Sequence, residues 1–386
     1  MEGELSTTRR KLLINAGASL GLGVLGAGWH TATRAAPGGR KLVLGQSVPL
    51  TGAASEIGLA FAAGAKLYVD AFNEKKDAPL ELELRQLDDG YDPARAGANA
   101  KKLLADGADM LFGFVGTASS SAAASVAKEQ GAVLLAPFAA ADNLRDGSFP
   151  QVFHVRPSMA DEAFKMVQHC ATIGHTRIAV LGEDDAMGRA GLAAVEKALK
   201  ELKMEPPVAS AFVPTNSTKV DAAVAAISAA KPQVVIQASL FNTTAAFIRA
   251  MRKGGYVGTF MNFSVVGMDP LFVALGKDIR GVVITQVVPS PRSSAVPIVR
   301  EYLTAIDNSD QSPSYESLEG FIAAKAVGEA VRRTGAGLNR AGMQKALAGL
   351  GDLDVGGFRL HLRAGVRDST WAIDLVTVTA DGRVIR

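Results

Sequence analysis

The sequence predicts an α/β protein made of two parallel-sheet units, and three observations carry that expectation. The chain has 386 residues, more than one hydrophobic core usually organises, because single cores stop growing at roughly 250 residues. From Lys41 onward, short apolar runs of β type alternate with longer helical patterns, as they do where parallel strands are joined by helical crossovers. Hydrophobic residues make up 48% of the chain and charged residues 20%, a balance that suits packed cores and argues against disorder.

The first 36 residues read differently from the rest. Thr8-Arg9-Arg10-Lys11-Leu12-Leu13 leads into an uncharged, Gly-rich apolar stretch from Ile14 to Trp29, followed by small residues near Thr33-Arg34-Ala35-Ala36. That order is the order of a signal peptide, with cleavage expected after about Ala35 or Ala36. The paired arginines, with a hydroxyl residue before them and two leucines after, resemble the twin-arginine export signal, which implies the Tat export machinery as a partner and a periplasmic destination. The apolar run is shorter than the roughly 20 residues a membrane-spanning helix needs. The single cysteine, Cys170, permits no intramolecular disulfide and lies far from the leader, so the mature chain is expected without a lipid anchor. With Val167, Ala171 and Ile173 around it, Cys170 reads as a small core residue.

The strand candidates follow in order: Leu42 to Gln46, Leu80 to Leu87, Met110 to Phe114, Val133 to Ala136, Arg177 to Leu181, Val208 to Val213, Val234 to Ala238, Thr259 to Asn262 and Gly281 to Gln286. Leu80, Leu82 and Leu84 alternate with Glu81, Glu83 and Arg85, which predicts a half-exposed strand; Val234-Val235-Ile236 is apolar throughout and predicts a central one. Asp92-Pro93 places a capping carboxylate before a first-turn proline, and Gly107 and Gly174 end the helices before them. Two βαβ sets result, about Lys41 to Val155 and Met159 to Gln286, with His154 to Ser158 as the crossover between them. A helical region from Pro289 to about Leu350 and a strand-like tail, including Trp371 to Thr379, complete the chain.

Ser47-Val48-Pro49-Leu50-Thr51-Gly52, Gly58, Asp88-Asp89-Gly90-Tyr91-Asp92-Pro93, Gly113 to Ser121 and Ala136-Pro137-Phe138 come in succession, then Val155-Arg156, Glu183-Asp184-Asp185 with Gly188, Thr285 to Pro289 and Ser317 to Phe321. In that order and spacing the mature chain resembles the leucine/isoleucine/valine-binding type of periplasmic receptor, the solute receptors of ABC importers. The resemblance implies two doubly wound α/β lobes with parallel sheets, joined by a three-crossover hinge, with the ligand in the cleft between them. It implies residues 41–156 plus 288–355 for the first lobe and 157–287 plus 356–386 for the second. It also implies a small-molecule ligand, the membrane permease and ATPase subunits of an importer as partners, and no cofactor.

The candidate binding residues lie where strands end and helices begin, the place where open parallel sheets take ligands. In Gly113 to Ser121 the chain leaves a strand, passes a glycine-containing loop and enters a helix, so Gly116, Thr117 and Ser119 offer backbone N–H groups and hydroxyls to an anion. The resemblance puts Thr117 where a hydroxyl holds the ligand carboxylate; helix capping is the alternative role. Phe138, Ala139 and Ala140 end the next strand, and Ala140 stands where the leucine-binding pattern has a threonine. Ser264 stands where amino-acid receptors of this type carry the acid that pairs with the ligand ammonium, so two contacts of an α-amino acid are missing. Glu56, Asp184, Asp185 or Glu319 would have to supply that charge, although Asp184-Asp185 also suits loop turning and capping. Phe138, Phe241 and Tyr315 fall near cleft positions and either stack on a flat ligand or pack in the core. Ile57, in the loop before Gly58, is expected to be apolar wall.

Other function classes find little support. The net charge of +3 is small and Lys and Arg are spread along the chain, so there is no basic stripe for nucleic acid. His154, His169, His175 and His361 have no metal-ligand spacing, and no nucleophile stands with a base, so no enzyme is expected. A ligand sensor reporting to a signalling partner uses the same fold and is the alternative to transport.

Overall fold

The computed structural model describes residues 40–362, 372–379 and 383–385. The expected leader and Trp371 lie outside the described residues. The first lobe opens with β1 (Lys41–Val48), α1 (Ser55–Asn73), β2 (Glu81–Asp88), α2 (Pro93–Ala105), β3 (Met110–Phe112), α3 (Thr117–Glu129), β4 (Leu134–Leu135) and β5 (Val152–Phe153). Its strands lie in the order β2-β1-β3-β4-β5, all parallel, with Lys41 opposite Glu81 and Leu44 opposite Met110. Successive strand residues face opposite sides. Leu42, Leu44 and Phe112 therefore join the core that includes α1, while Val43 and Leu111 join the one that includes α2 and α3. β2, expected to be half-exposed, is half-buried along most of its length and is an edge strand of the sheet.

The second lobe contains α4 (Met159–Thr172), β6 (Ile178–Glu183), α5 (Ala186–Glu201), β7 (Ala209–Val213), α6 (Asp221–Ala229), β8 (Val234–Ala238), α7 (Phe241–Lys253), β9 (Thr259–Asn262), α8 (Met268–Leu275) and β10 (Val282–Gln286). Strands β7-β6-β8-β9-β10 are parallel, and the all-apolar start of β8 sits between β6 and β9 with every residue buried. Then come α9 (Pro297–Asp307), α10 (Tyr315–Thr334), α11 (Arg340–Ala348), β11 (Asp352–Asp354), β12 (Arg359–His361), β13 (Asp374–Val378) and β14 (Val384–Ile385). Helix α10 packs along α1. β13 joins β10 antiparallel and β14 joins β13, extending the second sheet to seven strands. The boundary expected after residue 355 falls inside a hairpin, because β12 pairs with β11, and the chain reaches the second sheet only at β13.

Local chemistry explains the ends of the elements. The Asp92 carboxylate accepts from Ala94 N and Arg95 N with Pro93 in the first turn of α2, and Ser158 and Asp161 form a reciprocal capping box at α4. Two strands are shorter than their apolar runs suggest: β3 stops before Gly113 (φ 62°) and β4 before Ala136 (φ 54°), where left-handed residues turn the chain out of the sheet. The two-residue β5 leaves no readable pattern. In both sheets the connections diverge, between β1 and β3 and between β6 and β8, and a crevice opens beyond the strand ends there.

Candidate functional site

Beyond β3 the chain turns through Gly113 and Gly116, both at positive φ, and enters α3 at Thr117. A Cβ on Gly116 would stand 2.6 Å from Cε2 of Tyr91, so glycine is needed for that approach as well as for the turn. Ser120 donates to the Phe114 carbonyl and Ser121 to the Thr117 carbonyl, 3.2 and 2.9 Å away. The Thr117 hydroxyl is not used as a cap. It and the first-turn N–H groups of α3, which have no intrahelical acceptor, remain available at a helix N-terminus that favours negative charge.

Thr117 borders two spaces between the lobes. The inner one is a cavity of about 20 Å³. From the first lobe it is lined by Ala54, Ile57, Tyr91, Val115, Gly116, Thr117, Phe138, Ala139 and Ala140; from α4 and beyond come Met159, Met187, Leu240 and Val265. None of these side chains is charged. The space admits about one water, so a solute of several heavy atoms enters only when the lobes part. The outer chamber, about 210 Å³, shares Tyr91, Gly116, Thr117 and Met187 with the inner one and adds Ser119, Asp185 and Thr215. Here Asp185 caps α5 by accepting from Gly188 N at 2.8 Å and also accepts from the Thr215 hydroxyl at 3.2 Å.

The expected residues divide accordingly. Ile57, Phe138, Ala139 and Ala140 line the inner cavity, Ser119 and Asp185 the outer chamber, and Gly116 and Thr117 both. Ile57 belongs to the first turn of α1 and not to the loop before it. Glu56 and Phe241 line a separate crevice with Asp269 and Glu316. Tyr315 is buried at the start of α10 and borders neither space, and Asp184 pairs with Arg189 on the surface. Two expected residues stand one position from residues of the cavity wall: Leu240 lines it beside Phe241, and Val265 beside Ser264. In each case consecutive side chains diverge as the chain leaves a strand for a helical turn. Sequence reasoning also missed Tyr91, Met159 and Met187. Met187 stands two residues past the capping Asp185, and that position at a strand-to-helix turn was the available signal.

Ser264 is tied into the hinge instead. Its N and Oγ donate to Glu162 at 2.8 and 3.0 Å, and its Oγ accepts from Arg156 Nη2 at 3.0 Å. Thr285 also donates to Glu162. Arg156, in the passage from β5 to α4, is fully buried; it pairs with Glu319 of α10 and lies 4.1 Å over the Phe138 ring. Its Nε stands 3.0 Å from Glu319 Oε1 as an ion pair, without the alignment of a hydrogen bond. Burial pushes the Glu319 carboxyl up to about 7 although the Arg156 charge opposes the shift. One wall of the inner cavity is thereby fastened to both lobes and to the hinge.

Glu183, at the end of β6, holds the opposite wall. Its Oε1 accepts from Asn216 N, Leu240 N and the Thr243 hydroxyl at 2.9, 3.2 and 2.6 Å, while Oε2 is buried without a partner. Burial raises its pKa from an ordinary 4.5 to about 7. A carboxyl raised in the folded state favours folding below its unfolded value, and that contribution is lost as pH rises through about 7. Glu183→Gln keeps the acceptor and removes the titration. The variant should therefore gain on the parent between about pH 4.5 and 7, by up to about 1.4 kcal/mol per pH unit, and level off above that. Denaturant melts of both proteins at several pH values measure the difference, and a difference independent of pH contradicts the assignment.

Among the described residues no group of three or more His, Cys, Asp or Glu could hold a metal ion, and no helix is long and apolar enough to cross a membrane. A family profile described as "Periplasmic binding protein" matches residues 41–382. The chain is 26% identical over 340 residues to Leu/Ile/Val-binding protein homolog 8 of Brucella suis biovar 1 (strain 1330), covering 83% of this chain and 81% of that one. Its structure is similar to that of a possible leucine/isoleucine/valine-binding protein from Rhodopirellula baltica SH 1, with a TM-score of 0.84, 27% identity and coverage of 90% and 97%. A substrate-binding periplasmic protein from Ralstonia solanacearum is similar with a TM-score of 0.82, 32% identity and coverage of 89% and 99%. The lobed α/β fold, the cleft beyond the strand ends and these matches agree, and the chain belongs to the periplasmic binding protein family, whose members are solute receptors.

Proposed function

We propose that the protein captures a small carboxylate-bearing solute with an apolar body in the cleft between its lobes. One observation carries this reading: the inner cavity has no charged side chain, yet it includes the start of α3 with the Thr117 hydroxyl. A carboxylate is stabilised there by unpaired N–H donors and the helix dipole. An ammonium group would be buried beside no anion, which is costly. The cleft walls come from both lobes, so a solute that touches both favours the closed arrangement by its differential affinity. Closure then runs about the passages after β5 and β10. In this reading the chain is exported by the twin-arginine route, works in the periplasm, and delivers its solute to the permease of an ABC importer driven by a separate ATPase. It performs no chemistry on the solute.

The test is a thermal-shift screen of monocarboxylates and amino acids that includes the matched pair 4-methylpentanoate and leucine. A true ligand at a hundred times its dissociation constant stabilises by about 2.7 kcal/mol. The expected result is stabilisation by 4-methylpentanoate or an aromatic monocarboxylate, and less by leucine. Thr117→Ala should weaken binding of the best acid by about 1–3 kcal/mol. Stronger stabilisation by leucine would overturn the uncharged-body reading, and no stabilisation by any acid would overturn the carboxylate.

A further inference from the structure

The inner cavity and the outer chamber differ in chemistry. The inner one has no charged wall, whereas the outer one holds Ser119, Thr215 and the half-buried Asp185 carboxylate. They meet at four residues, Tyr91, Gly116, Thr117 and Met187. Thr117 is fixed at the head of α3, Gly116 has no side chain, and Met187 is flexible. Of the four, the one aromatic ring is that of Tyr91, which lies against Gly116.

The local sequence holds that ring in place. Tyr91 has φ 67°, a conformation that a bulky residue adopts only when its surroundings impose it. Asp89 accepts from Tyr91 N at 2.9 Å and from the Ser47 hydroxyl at 2.8 Å. Asp88 accepts from Gly90 N, Leu50 N and the Thr51 hydroxyl at 2.9, 2.8 and 2.8 Å. Asp89 thus holds the Tyr91 backbone directly, and Asp88 fixes the neighbouring Gly90 and the loop after β1.

We propose that Tyr91 is a specificity-determining residue that shuts the inner cavity off from Asp185, and so rejects acids whose cationic substituent would be enclosed in that cavity with their apolar body. The inference rests on the carboxylate reading above. The α-amino group of a solute enclosed in the inner cavity finds no counter-charge there, and Asp185 lies in the neighbouring chamber, beyond a shared wall of which the Tyr91 ring is the rigid part. With the ring gone, the two spaces merge and Asp185 comes within reach of that group.

The experiment compares 4-methylpentanoate with leucine, by titration calorimetry, on the parent, Tyr91→Ala, Tyr91→Phe and Tyr91→Ala/Asp185→Asn, each first shown to be folded by its melting curve. The parent should prefer 4-methylpentanoate. Tyr91→Ala should shift the ratio of affinities toward leucine by about tenfold or more, the effect expected of one charge-assisted contact. Tyr91→Phe should keep the parent ratio, and Asp185→Asn should cancel the shift. A folded Tyr91→Ala with an unchanged ratio, or a parent that prefers leucine, overturns the role of Tyr91. If the parent binds neither acid, the carboxylate reading itself fails only if no acid of the screen binds, and xenon-pressurised crystals decide the partition. Xenon density continuous through both spaces only in Tyr91→Ala supports it, and the same density in both proteins overturns it.

Discussion

Replacing Arg156 with methionine is expected to destabilise the protein by about 3–5 kcal/mol at pH 8, the cost of leaving one member of a buried ion pair without its partner. Arg156 is fully buried and reaches Glu319, Ser264 and the face of Phe138. Methionine fills much of the volume and leaves the Glu319 carboxylate without a counter-charge. That group is already raised to about 7 by burial with the arginine present. Without it the carboxyl escapes by taking a proton, which is easier in acid, so the loss should shrink between pH 8 and pH 6. Urea unfolding of parent and variant at both pH values measures this. Arg156→Met/Glu319→Leu should recover a substantial part of the loss, because removing both charges also removes their desolvation. A loss under about 1 kcal/mol at both pH values would mean that the pair contributes little and that packing alone holds the hinge.

That network also shows where the sequence stops being readable. Its members, Arg156, Glu162, Ser264, Thr285 and Glu319, are spread over more than 160 positions, and nothing in the local pattern of any of them announces the other four. Local features were legible because local chemistry sets them. The alternation of β2 marks a half-exposed strand, the apolar run of β8 marks a centre, and Asp92-Pro93 marks a helix start. The Thr117 turn was legible for the same reason, since a glycine turn entering a helix exposes N–H donors wherever it occurs. The second lobe's contribution was harder. Which of Leu240 and Phe241, or of Ser264 and Val265, faces the cleft depends on how the chain bends as a helical turn begins, and a shift of one residue turns the side chain away. Tyr91 was hidden by its own support, because Asp89, the acid that holds it, and Gly90 are the residues of an ordinary turn.

Gly64→Ala is expected to destabilise by about 2 kcal/mol or more, against its helix propensity. In an exposed helix the same change stabilises by about 1 kcal/mol. Gly64 lies in α1 facing α10, and a Cβ there would stand 1.8 Å from the Ser317 carbonyl oxygen; on Gly320 of α10 it would stand 2.1 Å from the Phe61 carbonyl oxygen. Neither glycine has positive φ, so the requirement is close approach of two backbones. A backbone carbonyl cannot rotate away as a side chain can, so the helices must separate, and overpacking of a dense core commonly costs about 1–3 kcal/mol. Two comparisons isolate the cause. Gly97 of α2 would meet only Ala122 Cβ at 3.5 Å, so Gly97→Ala should be neutral or stabilising. Gly328 would meet the Tyr68 hydroxyl at 2.2 Å, the end of a side chain that can shift, so Gly328→Ala should cost less than Gly64→Ala. The effect should reach the cleft as well, because α1 carries Ile57 on the inner wall and α10 carries Glu319 to Arg156. Separating the two helices loosens both, so Gly64→Ala should also weaken binding of the best ligand from the screen, whereas Gly97→Ala should leave it unchanged. Equal stability and equal affinity for these two variants would show that the contact between α1 and α10 yields at little cost, and that the cleft is not built on it.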